Sequence, residues 1–278
     1  MRKPWFLIFI ILFSVGFIYG QTASGLYNKV QADSTRHIKK GKIYLKNNNI
    51  EKAEREFKKA IKAWKHAYVA YAYLGIIYYQ KKDFYKSKEY FEKSLSEFSK
   101  FKENYLRMKY DYLKEFERRA KELGIVLDKH NLQSASGDSR EYFDYMLMQK
   151  ALRGRSISYS VNPTVFEAYK NDYVNKYKNL KKEYERDKNM QYDAFFRFKY
   201  GNTLMALKDV KGAIEQYLEA IKQNPELKEA YVNLSVAYFL SGDCFNAVKY
   251  YRTAKKKGAM VNRSYEHELR KKCRLGAM

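Results

Sequence analysis

Chain breakers are scarce in this sequence. Three prolines and 13 glycines punctuate 278 residues, which leaves long helices of Lys, Glu, Ala, Leu and Tyr as the expectation. The four histidines, His37, His66, His130 and His267, are scattered with no paired ligand spacing. His267-Glu268 lacks the second histidine of a zinc-protease helix, so no metal is expected. There is no Gly-x-Ser-x-Gly elbow, phosphate loop or dinucleotide fingerprint. The sequence therefore assigns no catalytic residue and no cofactor, and the chain is not expected to be an enzyme. Two cysteines allow at most one internal bridge.

Acidic groups are also in short supply, 31 against 55 Lys and Arg, giving a formal charge of +24. The excess sits on the flanks: residues 21–101 are net +10, 102–193 net +4 and 194–278 net +8. Such a surface favours anionic partners, namely acidic proteins, polyanionic envelope polymers or membrane headgroups. Solvation of exposed helix faces by lysine is the other reading. The strongly apolar run at the N-terminus, Trp5 to Ile18, follows Arg2 and Lys3 and precedes Gly20 and the polar Gln21. This is the layout of a secretory signal, residues 1–20, and the run is short of the roughly 20 residues that cross a bilayer comfortably. The expected location is periplasmic or extracellular, with an uncleaved inner-membrane anchor at residues 4–19 as the alternative. Export makes nucleic acid an improbable partner.

The strongest signal is an internal period of 34 residues. Gly41-x-x-Tyr44 aligns with Gly75-x-x-Tyr78, and Ala53-x-x-x-Phe57-x-x-Ala60 with Ser87-x-x-x-Phe91-x-x-Ser94. A second pair joins Gly201-x-x-Leu204 and Ala213-x-x-x-Tyr217-x-x-Ala220 to Ser235-x-x-Tyr238 and Ala247-x-x-x-Tyr251-x-x-Ala254. Small residues let helix backbones approach, and an aromatic nearby fills the gap beside them. Between them lie turn sequences ending in Asn49, Asp83, Asp209 and Asp243, whose side chains suit helix N-caps. Pro225 is expected to open a following helix.

This pattern resembles the tetratricopeptide repeat, over residues 34–101 and 194–261. The resemblance implies an all-α fold, a right-handed superhelix of helix-turn-helix units with an irregular helical middle segment. Individual units depart from the family: Lys65 and Ser99 stand where proline is usual, and His37 and Arg197 where Tyr71 and Tyr231 supply the large aromatic. The middle segment, 102–193, breaks the register. Its pattern predicts a helix from Glu103 to Leu123 stopped at Gly124, a polar loop Asn131 to Ser139, and a short helix Tyr142 to Leu152. A long helix to about Lys188, capped by Thr164, carries Phe166, Tyr169, Tyr173, Tyr177, Leu180 and Tyr184 on one stripe, read as core. Because stacked repeats need neighbours, these helices are expected to pack between the two pairs. Residues 262–278 read as a closing helix.

Family architecture brings the N-terminal end of the last repeat's second helix, with Cys244, near the end of the closing helix, with Cys273. A bridge there requires an oxidising compartment; two free thiols are the alternative. The resemblance further implies that first helices line a binding groove. Groove candidates are Lys42, Asn202 and Asn233, continued by Arg263 and His267. The set is similar to the carboxylate clamp of co-chaperone repeats, matching two asparagine positions, although Phe198 replaces the clamp's first lysine and Ile38 and Tyr73 depart from it in the N-terminal pair. Ordinary solvated polarity is the competing reading. The function expected is a protein-protein interaction scaffold of the cell envelope, holding a partner peptide or helix. The alternative is a basic module for an anionic polymer or membrane surface.

Overall fold

The computed structural model describes residues 31–122, 127 and 163–273, and among these all regular structure is helical, with no strand. The signal expected at 1–20, the Gly124 stop, the 131–139 loop and the Tyr142–Leu152 helix lie outside the described residues. The helices are α1 (31–46), α2 (Ile50–Ala63), α3 (Tyr68–Gln80), α4 (Phe84–Glu122), α5 (Pro163–Lys188), α6 (Ala194–Ala206), α7 (Val210–Gln223), α8 (Lys228–Leu240), α9 (Cys244–Lys256) and α10 (Arg263–Cys273). The described residues divide into two compact units, one within 31–101 and 191–273, the other within 102–190.

In the first unit four helical hairpins share one turn design. The residue before each cap, Asn48, Lys82, Lys208 or Gly242, sits at φ between 55° and 84°. This left-handed residue ends the first helix. The next side chain then accepts from the backbone three residues on: Asn49 from Lys52, Asp83 from Lys86, Asp209 from Gly212 and Asp243 from Asn246, at 3.0–3.1 Å. Pro225 departs from expectation. It lies in the turn between α7 and α8, where Asn224 Oδ1 accepts from the Glu226 N–H at 3.1 Å, and α8 starts only at Lys228. The Asx turn, not the proline, organises that entry.

Within each hairpin the helices nest at the small-residue position. A Cβ on Gly41, Gly75 or Gly201 would fall 2.6, 2.8 or 2.5 Å from a ring carbon of Phe57, Phe91 or Tyr217. In the fourth hairpin Ser235 takes the glycine's place, and its hydroxyl donates to the Ala247 carbonyl at 2.7 Å. Glu54 ties α2 to α3 by accepting from Lys58, Tyr78 and Lys81. Burial pushes its carboxyl up, but those hydrogen bonds outweigh it and hold the group at about 2.

The second and third hairpins stack directly on one another. α3 packs on α6; Phe91 stacks on Tyr200 at 5.4 Å, and Tyr73 meets Phe196 edge-on at 5.2 Å. Ser87 Oγ lies 2.8 Å from Thr203 Oγ1, and the buried Tyr192 hydroxyl donates to Ser94 at 2.8 Å. The expectation that middle helices separate the pairs is therefore corrected: serines at the small positions of α4 leave room for the third hairpin itself. α10 closes the far end, capped by Asn262 and burying Leu269 and Cys273 against α9.

A second correction concerns α4. It runs unbroken from Phe84 to Glu122, so no new helix begins at Glu103. Neither glycine nor proline interrupts those residues, and Ser99 cannot stop a helix as the usual proline would. In the second unit the later part of α4 runs antiparallel to α5. Lys109 reaches Asp187 at 2.6 Å and Glu183 at 3.2 Å, while Tyr177 donates to Glu117 at 2.8 Å. Tyr173 and Tyr177 of the expected stripe are buried, and Tyr184 contacts Tyr110. α5 starts at Pro163, one residue before the expected Thr164 cap, because proline's missing N–H is tolerated at a first helical position.

Gly75→Ala should gain up to ~1 kcal/mol of helix propensity but lose about 1–3 kcal/mol to overpacking against Phe91. A urea melt should show net destabilisation, smaller in a Phe91→Leu background; an unchanged midpoint contradicts the nesting. The depressed Glu54 group gives a second expectation. Its stabilisation is full above the ordinary carboxylate value of 4.5 and fades as pH falls toward about 2. The stability margin of wild type over Glu54→Gln, followed by thermal melts against pH, should shrink across that window.

Candidate functional site

One register relation organises the first-helix face. Residues 31 apart on successive first helices meet in both pairs. In the N-terminal pair the exposed Lys42 ammonium lies 5.7 Å from the Tyr73 ring centre. In the C-terminal pair Asn233 Nδ2 donates to Asn202 Oδ1 at 2.8 Å. The same oxygen accepts from the Tyr217 hydroxyl at 2.8 Å. Tyr217 is held by Gly201 beneath its ring and by Phe198 at 6.0 Å. Its hydroxyl is pushed well above the usual range, chiefly by burial, so it remains a neutral donor. One oxygen thus takes two donors, leaving the Asn202 NH2 group and the Asn233 carbonyl without a partner among the described residues. Together these offer N–H donors and a carbonyl acceptor, the complement of a peptide group.

Of the other residues singled out from sequence, Arg263 and His267 lie exposed on α10. Among the described residues no hydrogen bond or ring contact joins Lys42, Arg263 or His267 to the asparagine pair. Cys244 and Cys273 are joined as a disulfide, with their Cα atoms 5.2 Å apart. No group of His, Cys, Asp and Glu among the described residues is arranged to hold a metal.

Two features of this region escape a reading by repeat alignment alone. The first is Lys199, one residue beyond the position where a clamp lysine would stand. Its ammonium lies 5.2 Å from the Phe195 ring centre and 5.4 Å from that of Phe198. Burial pulls its pKa down, partly opposed by Glu229 on α8. The signal that points to it is the i, i+3 spacing to Asn202 on one helix face. The second is a compensation within repeats. His37 bonds Glu56 at 2.7 Å and Arg197 bonds Gln216 at 2.7 Å. Equivalent positions elsewhere hold the ring pairs Tyr71–Tyr90 and Tyr231–Tyr250, at 6.5 and 6.4 Å. The polar departures from the aromatic position are therefore matched across the hairpin, 19 residues on.

Family models describing a "Tetratricopeptide repeat" and a "TPR repeat" match residues 38–100 and 201–242. The two matched stretches are tetratricopeptide repeats. The matched segments contain the first three caps and the three glycine–ring contacts described above, while the fourth cap, Asp243, lies just beyond; Asn202 and Asn233 both lie inside the second. No curated protein matches the sequence. Among solved structures the chain is similar to YrrB, described as a TPR protein with an unusual peptide-binding site, at 18% identity over 89% of this chain and 94% of that one, TM-score 0.25. It is also similar to PilW, a type IV pilus biogenesis factor, at 14% identity over 87% of each chain, TM-score 0.38. A third is the yeast Sti1 TPR2AB domain in complex with pHSP90, at 16% identity over 88% of this chain and 98% of that one, TM-score 0.27.

The bridge closes a segment with a sequence separation of 29, worth about 3–4 kcal/mol in the chain-entropy model. Reduction, or Cys273→Ser, should raise amide exchange across α10 while α1 to α3 stay protected. Unchanged exchange in α10 would show that Leu269 and its neighbours hold the helix unaided.

Proposed function

We propose that this tetratricopeptide-repeat protein is a non-catalytic scaffold that holds an extended peptide or helix of a partner protein on the α6–α8 face. The observation that carries this reading is the Asn202–Asn233 pair, prearranged by Tyr217 with the Asn202 NH2 group and the Asn233 carbonyl unspent among the described residues. A site whose polar groups are fixed before binding loses less entropy when the partner docks. Partner-binding by relatives such as YrrB and Sti1, as their descriptions state, is consistent with it.

We place the protein in the cell envelope, exported to the periplasm or beyond. The N-terminal signal-like segment supports this, and so does the Cys244–Cys273 bridge, which persists in oxidising compartments. The charge of +24 favours a second reading, attachment of a basic surface to an anionic polymer or membrane headgroups.

Affinity capture from envelope fractions at low and moderate salt separates the two. Polyanion binding should collapse as salt rises, whereas recognition by half-buried groups should persist. Asn233→Ala should weaken capture of the salt-resistant partner roughly fivefold to tenfold, as loss of one to two hydrogen bonds implies. Equal capture by this variant, with an unchanged melting temperature, removes the α6–α8 face as the site.

A further inference from the structure

We propose that Lys199 is the charge-reading residue of this face, receiving an internal Asp or Glu side chain of the partner peptide while the peptide's neighbouring apolar side chain rests on Phe195. The inference depends on the α6–α8 face being the binding surface and adds the chemistry of the ligand.

Three half-buried lysines occur among the described residues of the repeat unit: Lys88, Lys199 and Lys257. Lys88 reaches Glu92 at 3.9 Å and Lys257 reaches Glu226 at 2.8 Å. Among the described residues Lys199 reaches no carboxylate and its ammonium makes no hydrogen bond; it is flanked instead by the rings of Phe195 and Phe198. A partly dehydrated ammonium without an acceptor is costly, and a carboxylate docking there relieves that cost while forming a charge-assisted bond. The depressed pKa of the group agrees with this dehydration. Glu229, the acidic group on α8 that acts on Lys199, is itself exposed and forms no ion pair with it.

The geometry favours a side-chain carboxylate over a chain terminus. A terminal carboxylate is gripped from several sides, but Phe198 occupies the place of one cation, and the Asn202 carbonyl and an Asn233 amide hydrogen are spent on each other. One ammonium remains between two phenyl rings. Phe195, one turn before it, is 43% exposed. This shelf beside a single cation suits an acidic residue next to an apolar one. The protein's net charge of +24 steers acidic segments toward it.

The test uses the full chain with its disulfide intact and fluorescence anisotropy with three labelled peptides. One alternates Glu with Phe and Leu and is acetylated and amidated. The second replaces each Glu by Gln, and the third is that Gln peptide with a free C-terminus. The Glu peptide should bind at least about tenfold tighter than its Gln counterpart. Lys199→Gln should erase that ratio and leave the Gln peptide's affinity unchanged, Lys199→Arg should keep most of it, and Asn233→Ala should weaken both peptides alike. Equal binding of the Glu and Gln peptides to wild type, or a ratio that survives in Lys199→Gln, overturns the assignment. A free-terminus Gln peptide as tight as the Glu peptide overturns it in favour of terminal recognition. If none of the peptides binds, the peptide-scaffold reading itself fails, and this inference with it.

Discussion

An aromatic ring from the second helix of a hairpin lies against bare backbone in the first, and the other contacts of the repeat unit follow from that approach. Phe57 covers Gly41, Phe91 covers Gly75 and Tyr217 covers Gly201, each so closely that an added methyl would strike the ring. The contact sets the separation of the two helices. That separation decides how far the first helix projects its outer side chains. In the third hairpin it does more. Because the covering ring is a tyrosine, its hydroxyl reaches Asn202 from beneath and fixes the amide's orientation. The packing contact and the candidate binding contact share one side chain, so the site is as rigid as the hairpin.

A second constraint acts between hairpins. Where serine replaces alanine or glycine at a close-packed position, its hydroxyl must find partners in a dry interface. Ser87 finds Gly75 and Thr203, Ser94 finds Tyr68 and Tyr192, and Ser235 finds Ala247 and Tyr265. In each case one partner comes from the next element of the stack. These serines mark interfaces, and two of them mark the junction between the second and third hairpins. Both precede the point where the chain leaves the stack, and their partners Thr203 and Tyr192 follow its return, with residues 102–190 between. Such an excursion is thermodynamically mild, since each doubling of loop length adds only about 0.6 kcal/mol of closure entropy.

The helix-turn-helix units were legible because their determinants are local. Small and aromatic residues recur at fixed spacing, and Asn or Asp stands before each second helix. What was not legible depended on contacts distant in sequence. Periodicity alone cannot reveal that Ser87 waits for Thr203, so direct stacking of the pairs was missed. The continuity of α4 was missed because a lost register looks like a helix boundary, although nothing at Ser99 breaks the backbone. His37 and Arg197 looked like defects until Glu56 and Gln216 were seen opposite them. On the site, alignment set Asn202 and Asn233 on successive first helices, but the bond between them and the third member, Tyr217, needed coordinates. Lys199 is invisible to the clamp pattern because that pattern places its lysine one residue earlier, where Phe198 stands.

The two pairs use the same 31-residue register for different ends, which bears on where a partner can dock. In the N-terminal pair Tyr73 makes two ring contacts, stacked on Phe57 at 5.0 Å with 4° between planes and edge-type with Phe196. Lys42 lies near what remains of that ring. The residue joins the core to the junction with the third hairpin, and a ligand competing for it would disturb both. Asn233 at the equivalent position has no such duty. Its neighbours Leu234 and Ser235 are buried, while its own amide is half-exposed and bonded only to other groups of the cluster. Nesting is indifferent to what occupies this position, so it is free to carry specificity. On the proposed reading binding chemistry is open to either pair, and the demands of packing leave it to the C-terminal one.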